Sequence, residues 1–114
     1  MKEEYRIFQK NLTLFMSHYG YSQAALAKKL EIAPSTVAWW CHGERLPRFG
    51  KMRELTELFH CTQDDFLNTE FTESKILAME RLERLQGYLK KMNDLGIEKV
   101  LTYVDDLSSK YFQE

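Results

Sequence analysis

The chain is 114 residues long, enough for one ordinary domain or a small domain with an appendage. With 44% apolar and 29% charged residues it has the balance of a folded globular protein rather than a disordered one, and no apolar run nears the roughly 18 residues that span a bilayer. The net charge of −1 conceals an asymmetry: residues 1–60 carry nine Lys/Arg and six Asp/Glu (+3), residues 61–114 seven and eleven (−4), so the front half suits a polyanion and the back half does not. The opening MKEEYRIFQK lacks the apolar core of a secretory signal, so the expected compartment is the cytosol, with both cysteines as reduced thiols and no membrane association.

Almost the whole chain reads as helix, since no stretch alternates apolar and polar residues long enough for a strand. EYRIFQKNLTLFMSHYG places Ile7, Phe8, Leu12, Phe15 and Met16 on one stripe, with Gly20 at a C-cap position. Ser22 caps a short helix, QAALAKKL, and EIA makes a tight connection. Pro34 opens a helix with Val37 and Trp40 on one face, ending near Gly43. ERLPRFG reads as a loop, followed by the amphipathic KMRELTELFH, with Met52, Leu55, Leu58 and Phe59 inward. Thr62 with Asp65 forms a capping box for a short helix ending near Leu67. NTEFTES, residues 68–74, is the one candidate boundary, dividing the chain into 1–69 and 70–114.

From Ser74 onward Ala78, Leu82, Leu85, Leu89 and Met92 recur in heptad steps of 4, 3, 4 and 3. Gly96 breaks the pattern, and Ile97, Val100, Leu101, Val104, Leu107 and Tyr111 form a second stripe. A helical hairpin of this size buries too little apolar surface alone, so it must lie on the front domain or on another copy of itself.

Residues 22–43 form two short helices joined by a tight turn, the helix-turn-helix arrangement. The close crossing needs a small residue, Ala27, with Leu26, Leu30, Ile32, Val37 and Trp40 filling the angle. Here residues 7–67 resemble the phage-repressor type of DNA-binding domain, lambda-repressor-like or XRE. The resemblance rests on Ser22, Gln23, Leu26, Ala27, Leu30, Ile32, Ser35, Thr36, Val37, Trp40, Gly43, Arg45 and Pro47. LTELFHCTQDDFL further matches that family's fourth and fifth helices. The resemblance implies an all-α, five-helix lambda-repressor-like helix-turn-helix domain, here followed by the C-terminal helical hairpin. Two departures stand out. Glu31 occupies a turn position where the family often has Gly, which implies a strained left-handed residue. Ala33 stands where a Ser or Thr cap is common, at a typical loss of about 1 kcal/mol that Pro34 partly offsets by fixing φ.

Adjacent helical residues point about 100° apart, so Trp39 and Trp40 cannot share a face. Trp40, three residues after Val37, belongs to the core stripe, whereas Trp39 shares the outward face with Ser35 and Thr36. Trp39 is therefore the candidate partner contact, by a thymine methyl or the sugar-phosphate backbone, the alternative being packing on a neighbouring helix. Gln23, at the start of the first motif helix, suits a phosphate, or is a plain exposed polar residue. Pro34, Ser35 and Thr36 open the recognition helix, Ser35 and Thr36 reaching bases or phosphates or serving only as capping groups. His42 and Arg45 follow the helix toward the backbone, with Arg48 and Lys51 as weaker candidates.

Cys41-His42 and His60-Cys61 can be drawn as zinc ligands, but adjacent ligands on a helix diverge and the spacing is not of C-x-x-C type, so no metal or other cofactor is expected. No nucleophile–base or paired-carboxylate set appears, which argues against an enzyme. One such domain covers one half-site, so a dimer is expected on a palindromic operator. Leu82, Leu85, Leu89, Met92, Val100, Leu101, Val104 and Leu107 are the candidate dimer core, facing away from DNA. The expected function is a sequence-specific transcriptional regulator, a phage- or prophage-type repressor with double-stranded DNA as partner. The alternative is an antitoxin or adaptor. An antirepressor or toxin protein is a candidate partner.

Overall fold

In the computed structural model, which describes residues 3–112, the chain forms α1 (Glu3–Tyr19), α2 (Gln23–Leu30), α3 (Pro34–Cys41), α4 (Phe49–Phe59), α5 (Gln63–Leu67), α6 (Glu73–Lys91) and α7 (Asp94–Tyr111). Among the described residues there is no strand. No helix among them is long and apolar enough to cross a membrane. The chain divides into two units, the first running to Ile76 and the second starting at Leu77.

The first unit is built around α1. The stripe read from the sequence faces inward, with Phe8, Leu12, Phe15 and Met16 buried and Ile7 half-buried. Phe15 is the hub. Its ring centroid lies 5.2 Å from Phe59 of α4, 5.2 Å from Phe66 of α5 and 5.1 Å from Phe71 of the segment before α6. Phe8 adds a contact to Phe66 at 5.2 Å. Each such pair contributes about 0.5–1.5 kcal/mol beyond the area it buries.

Asn11, on the same face of α1, is fully buried. Its Nδ2 donates to the carbonyl oxygens of Asp65 (3.1 Å), Phe66 (2.8 Å) and Asn68 (2.9 Å). Those carbonyls close α5, a helix of five residues too short to stabilise itself. At its other end α5 has the expected capping box: the Thr62 hydroxyl accepts from the Asp65 amide and the Asp65 carboxylate accepts from the Thr62 amide.

Phe71 and Ile76 are both buried, so the first unit extends past the division after residue 69 expected from sequence. The polar residues around Phe71 make NTEFTES look like a linker, yet the aromatic ring anchors it to the core. Two other boundaries also differ. Phe49 and Gly50, read as loop, form the first turn of α4. The break between the last two helices falls at Met92–Asn93, not at Gly96, because the Asn93 side chain caps α7 by accepting from the Gly96 amide at 2.9 Å.

The α2–α3 pair crosses as expected. Ala27 sits at the crossing with Leu26, Leu30, Val37 and Trp40, all buried, while Ile32 is half-buried. Ser22 caps α2 by accepting from the Ala25 amide. Ala33 caps α3 without a side-chain bond, with Pro34 in its first turn. At the turn Glu31 adopts φ 57°, ψ 45°, and the amides of Glu31 and Ile32 donate back to the carbonyls of Lys28 and Ala27. This is the double-bonded helix terminator that glycine serves without strain. Lys51 of α4 donates to the free Leu30 carbonyl at 2.8 Å, tying the turn to α4.

In the second unit, α7 buries no residue, and the one buried residue of α6 is Ile76, which belongs to the first unit. Leu89, Ile97, Val100 and Leu107 are half-buried, whereas Leu82, Leu85, Met92, Leu101 and Val104 are exposed.

Two expectations follow for stability. Asn11→Ala leaves buried carbonyls unpaired and is expected to lower the unfolding free energy by about 2–3 kcal/mol in chemical denaturation. A loss within experimental error would show that α5 is held by its aromatic contacts alone. Glu31→Gly is expected to raise the melting temperature by about 3–5 °C, because the left-handed strain it removes exceeds glycine's added chain entropy. An unchanged or lower melting temperature would count against strain at this turn.

Candidate nucleic-acid interface

The outward face of α3 is assembled from local choices. With Val37 and Trp40 turned into the core, Pro34 and Ser35 are left exposed, and Thr36 and Trp39 half-exposed. Cys41 holds the end of the helix to α1, its Sγ 3.8 Å from Met16 Sδ.

The chain then reverses. Gly43 is buried at φ 72°, its amide donates to the Trp40 carbonyl at 3.2 Å, and the next amide, Glu44, donates to the Trp39 carbonyl at 2.9 Å. This terminator requires a left-handed residue, and glycine adopts that conformation without penalty. His42, the C-cap residue, stays exposed.

The reversal brings Arg45 back over the recognition helix. Its guanidinium carbon lies 3.8 Å from the centroid of the Trp39 ring. A cation thus covers one face of Trp39. Sequence spacing alone misses this pairing. The available signal was Gly43 between the two residues, read from the sequence as the end of the helix but not as the reversal that returns Arg45 to it.

Thr36, Trp39 and Arg45 line one groove with Trp40, Leu46, Pro47, Arg48 and Lys51. Among the described residues neither Arg45 nor Arg48 has a carboxylate partner. Lys51 is committed elsewhere, bonded to the Leu30 carbonyl and paired with Glu54 at 2.8 Å. Gln23 is outside this groove, exposed in the first turn of α2, where it lines an open surface of mixed polarity with Gln9, Thr13, Met16, Ser17, Tyr21, Ser22 and Cys41.

The two cysteines carry free thiols. Burial pushes the Cys61 thiol up to about 12, with the nearby Asp65 charge adding to the effect, and burial raises Cys41 as well. Both thiols are therefore protonated at neutral pH, the wrong state for a nucleophile or a metal ligand. Among the described residues no three or more His, Cys, Asp or Glu side chains converge as a metal site.

Comparison with known proteins bears on the same segment. The helix-turn-helix family model of XRE, lambda-repressor-like type matches residues 18–66, from the end of α1 through α5. No curated protein and no solved structure gives a significant match. The family is a DNA-binding one and typically non-enzymatic. Residues 18–66 of this chain are a helix-turn-helix DNA-binding domain of the XRE, lambda-repressor-like family.

Proposed function

We propose that the protein is a sequence-specific transcriptional regulator of the phage- or prophage-repressor type, which acts in the cytosol by occupying a palindromic operator as a homodimer and blocking a promoter. The observation that carries the DNA-binding part is the face of α3. It combines exposed Ser35, half-exposed Thr36 and an unneutralised Arg45 on a domain of a DNA-binding family. In this reading Pro34, Ser35 and Thr36 enter the major groove with the N-terminal end of α3. Gln23, at the N-terminus of α2, takes a phosphate, and His42 and Arg45 border the backbone.

The dimer rests on a separate observation. Among described residues 77–112 none is buried, although the segment carries two apolar stripes. Leu82, Leu85 and Leu101 are 60%, 50% and 51% exposed. Helices with no buried face are marginal in water, so this one needs a cover. A second copy supplies one of matching pattern: Leu82, Leu85, Leu89 and Met92 at heptad spacing on α6, and Val100, Leu101, Val104 and Leu107 on α7.

The antitoxin or adaptor alternative draws on the modest +3 of residues 1–60, since many DNA binders are more basic. Salt discriminates between the two. Genomic fragments selected by the purified protein are expected to share a two-fold symmetric motif with half-sites about one helical turn apart. Affinity for that motif is expected to fall roughly 100-fold between about 50 and 200 mM salt, as neutralising about four phosphates requires. No enrichment by folded protein would reject the regulator.

Dimerisation is checked independently by light scattering. Leu85→Glu with Leu101→Glu is expected to convert a dimer to a monomer while leaving the first unit folded, because both residues lie outside its core. A variant that remains dimeric would move the interface elsewhere.

A further inference from the structure

We infer that Trp39 acts on DNA through Arg45: its indole face is a platform that holds the Arg45 guanidinium flat, so that the guanidinium edge meets a phosphate beside the recognition helix. The inference rests on the DNA-binding reading above and adds to it a division of labour within the pair.

Three observations carry it. The guanidinium lies 3.8 Å from the ring centroid, well within the range of a cation–π contact. A guanidinium stacked by its face keeps its N–H donors in the plane, directed away from the ring, where they match the oxygens of a phosphate. The groove that Trp39 and Arg45 line also contains Arg48, a second cation without a carboxylate partner among the described residues, and Thr36, a short donor. Two unneutralised arginines beside one groove make a site for an anion. On a helix-turn-helix domain the anion that borders the recognition helix is the DNA backbone.

The geometry also explains why tryptophan occupies this position. An exposed arginine on a loop samples many rotamers, and ordering it on binding opposes affinity. The Schellman turn at Gly43 brings Arg45 back over α3, and the indole then holds it in one place before DNA arrives. Trp39 is therefore a positioning residue, and Arg45 is the group that touches the ligand.

The test is a double-mutant cycle on the full-length protein and its selected operator, with affinity measured across a salt series and folding checked by circular dichroism. Arg45→Ala is expected to weaken binding to all sequences alike and to flatten the plot of log affinity against log salt by about 0.9 per subunit. Trp39→Ala is expected to weaken binding about fivefold per subunit, and Trp39→Phe, which keeps a ring face, to restore most of that loss. The double variant is expected to bind no worse than Arg45→Ala alone, since the platform has no role without its cation.

Additive losses would overturn the inference by showing that Trp39 touches DNA itself. Loss of preference at one operator base in Arg45→Ala would overturn it in favour of direct base reading. In the free protein, Arg45→Ala is expected to change the Trp39 component of the fluorescence, isolated by comparison with Trp39→Phe. An unchanged emission would show that the stack does not persist in solution, and the inference would fall while DNA binding stood. A wild-type protein that binds no DNA would remove the regulator reading first and this inference with it.

Discussion

The position of Phe15 is the constraint on which the first unit depends. One ring, on the inner face of α1, meets rings from α4, α5 and the segment before α6. Phe15 therefore gathers parts of the chain far apart in sequence, and the buried Asn11 one turn earlier ties the carbonyls of α5 to the same helix. The two devices are complementary. Aromatic contact favours proximity with some tolerance in angle, whereas the Asn11 bonds fix α5 in register along α1. With α1 held against α4 and α5, the α2–α3 pair is supported along its apolar side, and the other side of α3 is left for a ligand.

The helix ends show how this small unit controls direction. Gly20, Glu31, Gly43 and His60 all adopt left-handed φ values, and each follows a helix. At Glu31 and Gly43 the next two helix-terminating bonds are formed in the same pattern, yet only one of the two positions carries glycine. Glu31 retains strain at the turn within the helix-turn-helix, where the Lys51 bond to Leu30 supports the bend from outside. Gly43 is free of that strain, and its turn determines where the arginine after it can reach. The same local motif thus sets the angle of the recognition helix at one end and places a cation over it at the other.

Much of this was legible in the residues because caps and stripes declare themselves locally. Ser22, Pro34 and the Thr62–Asp65 box mark helix starts by their own hydrogen-bonding chemistry, and the α1 stripe marks its buried face by period. The misreadings arose where a single residue acts at long range. Phe71 sits in a polar stretch that looks like a linker, and its anchoring role exists only because Phe15 is nearby in space. Asn11 drew no expectation from the sequence, since its partners lie more than fifty positions away. Gly96 looked like a helix breaker, but Asn93 had already started the helix, and a glycine in a first turn is tolerated. On α3, period separates half-exposed Trp39 from buried Trp40, but the cation covering Trp39 depends on the three-dimensional path of the loop after α3.

Neither unit carries a large net charge: residues 1–76 hold ten Lys/Arg and ten Asp/Glu, and residues 77–114 hold six and seven. Among the described residues Arg45 and Arg48 lack carboxylate partners, so the field beside α3 is set by these local cations rather than by the net charge of either unit. Such a field decays over about 8 Å at physiological salt, so it acts only on groups close to α3. In the proposed dimer, operator occupancy would depend on concentration more steeply than in a monomer, since the dimer and its helices would form together by mass action.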